Sequence, residues 1–156
     1  DPFPQNAGDR CVPPGMGLFF HRRGSPALTF SPNGVVRDTA FAQPLPVGCT
    51  LVGSGYPVAQ SPASRVMTTA NGFTGSRDLN SADQVQLWKG DEDPDQLCYV
   101  TSWLLNAAAP YRHWIDADDV TAASQNDVEL FQPLRAAFHC EVNAVPNWVI
   151  PAQWTP

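Results

Sequence analysis

Apolar residues recur along this chain in short runs with a period of two, cut at close intervals by Pro, Gly, Asn and Asp. Residues 84–89 alternate cleanly, with Val85 and Leu87 on one side, and residues 27–31 do the same with Leu28 and Phe30. That period belongs to a pleated strand with one buried face. Further apolar, β-branched or aromatic runs at 16–22, 35–37, 50–53, 97–105, 111–115, 128–131, 136–142 and 147–150 bring the predicted strands to about ten. In the regular stretches they are spaced by roughly 8–12 residues, the pattern of an all-β domain. Pro32-Asn33-Gly34 predicts a tight turn, because Asn-Gly accepts positive φ.

One helix is predicted near 62–70. Ser61 is a good N-cap, Pro62 suits the first helical position, and Asn71-Gly72 ends the segment. Residues 72–83 are polar and rich in Gly, Asn and Ser, and read as a long loop. The first fourteen residues, DPFPQNAGDRCVPP, hold four prolines and cannot be helical. The predicted organisation is an extended arm over 1–14 and one β-domain over 15–156. The domain is a sandwich or flattened barrel with Greek-key-like connections.

Composition narrows the function classes. At 43% hydrophobic the chain builds a core, but only 15% of residues are charged, against about 25% in ordinary soluble domains. A surface poor in ions packs against other protein with less desolvation opposing it. A net charge of −6 makes nucleic acid a poor partner, since phosphate binding needs a basic face. No apolar run approaches the roughly 18 residues that span a bilayer. The chain opens at Asp1-Pro2-Phe3-Pro4 without an apolar signal stretch, which suits the mature form of an exported protein.

Four cysteines, Cys11, Cys49, Cys98 and Cys140, are spaced by 38, 49 and 42 residues. Without a C-x-x-C pair they read as a disulfide framework, which persists outside the reducing cytosol. Four cysteines allow three intrachain pairings and further interchain ones, and the sequence does not choose between them. His21, His113 and His139 lack metal-ligand spacing and read as exposed or hydrogen-bonded structural residues. Two acidic turns, with Asp91, Asp93 and Asp95 in one and Asp116 and Asp118 in the other, are weak calcium candidates without EF-hand spacing. No cofactor motif and no G-x-S-x-G elbow is present. The five tryptophans are expected in the core or at an interface.

The segments GMGLFFHR (15–22), LVGSGYPVAQSP (51–62), QLWKG (86–90) and FQPLRAAF (131–138) resemble a class of uncharacterised, secreted, β-rich surface proteins of planctomycete and verrucomicrobial bacteria. The resemblance implies export and a β-fold, and brings no catalytic residues. Together these readings predict a non-enzymatic structural subunit at the cell surface or outside the cell. It would assemble with copies of itself into a fibre or layer. Its arm, through Pro2, Phe3, Pro4, Cys11 and Val12, would add to a neighbour's sheet, and Cys11 and Cys140 would lock subunits. The alternative is an extracellular carbohydrate-binding or adhesive module using exposed Trp or Tyr. A secreted hydrolase comes third.

Overall fold

A computed structural model describes residues 15–17, 37–88, 99–106, 112–119, 123–133 and 135–153. Seven strands lie among the described residues: β1 (Phe41–Leu45), β2 (Gly48–Gly53), β3 (Gln84–Trp88), β4 (Tyr99–Asn106), β5 (Arg112–Asp116), β6 (Ala136–Glu141) and β7 (Val145–Ile150). They form an open, all-antiparallel sandwich, not a closed barrel. One sheet has the order β2-β6-β3-β4-β5 and the other pairs β1 with β7. In the large sheet β3, β4 and β5 follow one another, and β6 returns to lie beside β3. Four antiparallel strands in the order 4-1-2-3 are a Greek key.

The pleat explains which face is buried. Ala137, His139 and Glu141 of β6 point inward, while Phe138 and Cys140 point to the outer face. The inner face of the large sheet supplies Val52, Val85, Leu104, Trp114 and Ala137 to the core. Leu45, Val145, Trp148 and Ile150 come from the small sheet, and Tyr56, Met67, Phe73 and Phe131 from loops. A second, smaller cluster of Trp103, Ile115 and Ala82 lies on the other side of β4 and β5, packed by Leu79 and Leu105. Trp103, Trp114 and Trp148 are buried, in line with the core reading of the tryptophans, whereas Trp88 is half-buried on the outer face and Trp154 lies outside the described residues.

Several predicted elements are corrected. No α-helix forms over 62–70: residues 62–66 make turns, and the only helical geometry is a 3₁₀ turn over Thr69–Asn71. A second 3₁₀ turn, Leu79–Ser81, sits inside the predicted 72–83 loop. Residues 128–131 are not a strand, and only Phe131 makes a bridge, to Gln60. Strand β1 was unpredicted, because Pro44 and Pro46 argue against strand in FAQPLP. The chain tolerates Pro44 by a bulge. The β1–β7 register breaks between Gln43 and Leu45, opposite Pro146, where two residues without an N–H would otherwise interrupt the ladder. The predicted strand at 27–31, most of that at 35–37, the turn at 32–34 and the arm at 1–14 lie outside the described residues.

Both edges of the large sheet are covered by the chain itself. Gly53 donates its N–H to Gly15 O at 2.8 Å and Gly17 donates to Leu51 O at 3.3 Å, so residues 15–17 lie along β2. On the far side Gln125 N–H donates to Trp114 O at 2.8 Å, and the Trp114 N–H donates to Asn126 Oδ1 at 2.9 Å. Covered edges blunt strand-to-strand aggregation.

Candidate functional site

The segment from Gln60 to Thr69 is where local sequence preference and structure part most clearly. Gln60 and Phe131 exchange backbone hydrogen bonds at 2.9 Å each way. Ser61 and Ser64 cap one another: the Ser61 N–H donates to Ser64 Oγ at 3.0 Å, and the Ser64 N–H donates to Ser61 Oγ at 3.1 Å. A helix would then have used the carbonyls of Ser64 to Met67 for its own ladder. Here side chains take them instead. Gln153 Nε2 donates to Ser64 O (2.7 Å), Trp148 Nε1 to Arg65 O (2.8 Å), Asn71 Nδ2 to Val66 O (2.9 Å) and Trp114 Nε1 to Met67 O (2.8 Å). Val66 sits at φ 51°, the left-handed region that a β-branched residue seldom enters, and this ends any helical path. The tertiary contacts hold the backbone in a conformation its own residues disfavour.

The consequence is an arginine in the core. Arg65 is 0% exposed, and its guanidinium lies over the rings of Phe131 (4.3 Å) and Trp148 (4.8 Å). His139, also fully buried, stacks on Phe131 with ring centroids 5.7 Å apart and touches Trp148 at 5.2 Å. None of the three guanidinium nitrogens, neither His139 nitrogen and neither amide atom of Gln60 has a protein hydrogen-bond partner. Burial pushes the Arg65 pKa down to about 9, which leaves it charged at neutral pH. Burial, helped by the nearby Arg65 charge, holds His139 well below the ordinary histidine range, so the imidazole is neutral.

Deeper along β6, Glu141 lies 3.8 Å from His139 Nδ1 and faces Asp83. Asp83 is fully buried and well satisfied: its Oδ1 accepts from Val142 N–H (2.7 Å) and its Oδ2 from Thr74 N–H (2.6 Å). It thereby ties the loop before β3 to the β6–β7 turn. Glu141 has no well-aligned bond of its own. Burial first, and then the Asp83 carboxylate, push Glu141 up to about 10, so it stays protonated at neutral pH.

These shifts set a pH profile. The raised Glu141 contributes stability in full below its unfolded pKa of about 4.3, and loses it as pH rises toward 10. The depressed His139 contributes above about 6.5 and loses it as pH falls. Between those two values the slopes oppose. From about 6.5 to about 8.5 only the Glu141 slope remains, a loss of up to about 1.4 kcal/mol per pH unit. Stability should therefore peak at mildly acidic pH and decline through neutrality. Glu141→Gln should flatten the decline, and urea titrations at pH 5.5 and 8.5 on both chains test this. Parallel slopes for the two would place the titration elsewhere.

Beside the loop, Ala63, Met67, Thr68, Thr69, Leu104 and Asn126 line a cavity of about 160 Å³. Its polar groups are two threonines and an amide, which suits an uncharged occupant.

The structure joins two of the four candidate cysteines, a pairing that the sequence left open. Cys49 and Cys140 face each other across β2 and β6 and are bonded. Cys140 is thus bonded within its own chain and is not free to lock subunits, which corrects that part of the expectation. Cys11 and Cys98 lie outside the described residues, as do Pro2, Phe3, Pro4 and Val12 of the arm and the acidic Asp91, Asp93 and Asp95. Asp116 serves a turn: its Oδ1 accepts from Asp118 N–H at 2.9 Å, and its Oδ2 from Gln125 Nε2 at 3.5 Å. Among the described residues no group of three or more His, Cys, Asp or Glu is placed to hold a metal ion. His139 is neither exposed nor hydrogen-bonded, contrary to expectation.

Arg65, Gln60, Asp83 and Glu141 were not singled out in the sequence. A signal existed for part of the cluster. In AAFHCE the inward set of the alternation is Ala137, His139 and Glu141, and a strand that turns a histidine and a glutamate toward a core is anomalous. In comparisons with known proteins, no family model, no curated protein and no solved structure matches the chain.

Proposed function

We propose that this chain is a structural module of an extracellular assembly, and that it associates with copies of itself through its small β1–β7 sheet. The observation that carries this reading is an asymmetry between the two sheets. The large sheet is closed off at both edges by its own chain and clamped by Cys49–Cys140. The small sheet has no described strand on either outer edge. Its outward side shows Ala42, Pro44, Pro146, Asn147 and Val149, with Val47 in the adjoining turn, and Val47 and Val149 are 66% and 45% exposed. An uncharged, mostly apolar surface on a sheet of two strands is the kind that another protein covers.

The proline-rich arm at 1–14 suits that site in chemistry, since an extended apolar peptide can lie along an open edge. Pro44 and Pro146 lack N–H groups, which restricts pairing to the other positions. Export is part of the same proposal, supported by the disulfide. No helix among the described residues is long and apolar enough to cross a membrane.

Light scattering and negative-stain microscopy of the oxidised full chain test this reading. The expected result is a concentration-dependent assembly that Val149→Glu disperses to monomers with an unchanged circular dichroism spectrum. A wild-type chain that stays monomeric at high micromolar concentration overturns it.

A second reading has its own observation. On the outer face of the large sheet Trp88 packs on Tyr99 (5.1 Å), and Tyr99 packs on Phe138 (5.8 Å), beside Gln84 and Gln86. Tyr99 is 39% exposed. Rings flanked by amides and free of charge suit a sugar surface, which glycan-array binding would reveal.

A further inference from the structure

We propose that Arg65 is the centre of an internal anion site, occupied in ordinary solution by chloride, enclosed between the two layers of the sandwich. A guanidinium carries five N–H donors and cannot accept. In this chain all three of its nitrogens are buried and none meets a protein acceptor. Leaving a charged group in that condition is among the least favourable things a core can do, because both its hydration and its counter-charge are lost. The faces of Phe131 and Trp148 supply part of the compensation through cation–π contact. They attract the guanidinium through their rings and leave its in-plane N–H groups unanswered.

The surroundings favour an anion over water as the missing acceptor. No carboxylate lies in ion-pair reach of Arg65: His139 and Glu141 are neutral at pH 7, and the buried Asp83 carboxyl is engaged by the N–H groups of Thr74 and Val142. The guanidinium charge therefore has no adjacent counter-charge in a low-dielectric interior. Water can satisfy the donors but cannot cancel that charge, whereas one monovalent anion does both. Gln60 is 1% exposed, its amide nitrogen and oxygen are both unpartnered, and its backbone pairs with Phe131, whose ring faces the guanidinium. Enclosure limits the size of the ligand. Arg65 is 0% exposed, which excludes an organic acid with a tail and makes a bare halide the proposed occupant. The anion would then be a folding partner, bound by the native state alone.

Linkage makes this measurable, since a ligand that binds only the native state raises the melting temperature with its concentration. The full-length chain is melted at pH 7 in sodium chloride and in sodium gluconate at equal ionic strength. Above the dissociation constant, each tenfold rise in chloride should raise the midpoint by roughly 3–5 °C for a chain of this length, and gluconate should not. Arg65→Met, which keeps the volume and removes the donors, should melt at the same temperature in both salts. Equal wild-type midpoints in chloride and gluconate overturn the proposal, as does a chloride effect that survives in Arg65→Met. If that variant does not fold, crystals of the wild type grown in bromide decide. An anomalous peak in the guanidinium plane supports the site, and its absence at full bromide exchange overturns it.

Discussion

Replacing Cys49 and Cys140 together with serine is expected to lower the unfolding free energy by about 3–5 kcal/mol. The bond joins residues 91 apart in sequence, so it removes a large share of the conformations open to the unfolded chain. Loop-closure entropy for a ring of that size is worth roughly 4–5 kcal/mol, if the native strands are unstrained by the bond. The native state has little to lose when the bond goes. Cys49 and Cys140 sit opposite each other within a six-residue antiparallel ladder from Gly48↔Glu141 to Gly53↔Ala136, and that ladder persists without sulfur. The loss should thus appear as a lower melting temperature with unchanged native spectra, by roughly 10 °C for a chain of this size. Replacing both cysteines together avoids a free thiol that could exchange with Cys11 or Cys98. A double variant that melts within 2 °C of the wild type would show that the two sulfurs are not joined in the folded protein.

Trp148→Ala is expected to be the most damaging single substitution, at about 4 kcal/mol or more. The indole is completely buried, and it meets Phe73 edge-on at 5.4 Å and His139 at 5.2 Å. Emptying that volume alone costs about 3–5 kcal/mol in a core that cannot collapse around it. Two further losses follow from the position. The Nε1 donor to Arg65 O disappears, leaving a buried carbonyl unpaired in the loop that this bond helps to hold. One of the two rings over the guanidinium goes as well. Against a total stability of about 5–15 kcal/mol, that sum brings the chain near unfolding at room temperature. Trp148→Phe separates the contributions. It keeps most of the packing and a ring face but removes the N–H, and should cost about 1–3 kcal/mol. Denaturant titration of both variants reads the difference directly. Equal losses would mean that the hydrogen bond to the loop, and not the ring volume, holds this part of the core.

The two substitutions probe different halves of the fold. The disulfide acts on the large sheet from its outer face, where Cys49 is exposed and Cys140 partly so. Trp148 acts from the small sheet, through the loop at 60–69, on the inner face. The sandwich is held together across its layers chiefly by this loop and by the aromatic residues around it. The proposed anion at Arg65 lies in the same place.

How far the sequence reached depends on how local each cause was. The alternation in 84–89 placed β3 within a residue or two, because one buried face is enough to set a period of two, and the apolar run at 136–142 placed β6 as closely. The aromatic and β-branched run at 97–105 did the same for β4. The loop at 72–83 was legible from its Gly, Asn and Ser content, although its 3₁₀ turn was not. One omission and one misreading share an origin. FAQPLP holds prolines that disfavour a strand and none is predicted there, yet a bulge and an edge position accommodate Pro44 in β1. At SPASRVM the capping signals spoke for a helix, yet Trp114, Trp148 and Gln153 claim its carbonyls from far along the chain. In both, a long-range contact overruled a correct local preference.

The order of short strands, the all-β class and the presence of a disulfide framework came from the chain as written, because period, turn residues and cysteine count are properties of neighbours in sequence. Which cysteines join, which edges close and why an arginine ends in the core were decided only by the fold. Trp148 reaches Arg65 across 83 residues and Cys140 reaches Cys49 across 91. No local pattern encodes a contact of that span. It follows from packing two sheets so that the largest apolar rings share one interior, and whatever polar group the connecting loop carries there is buried with them.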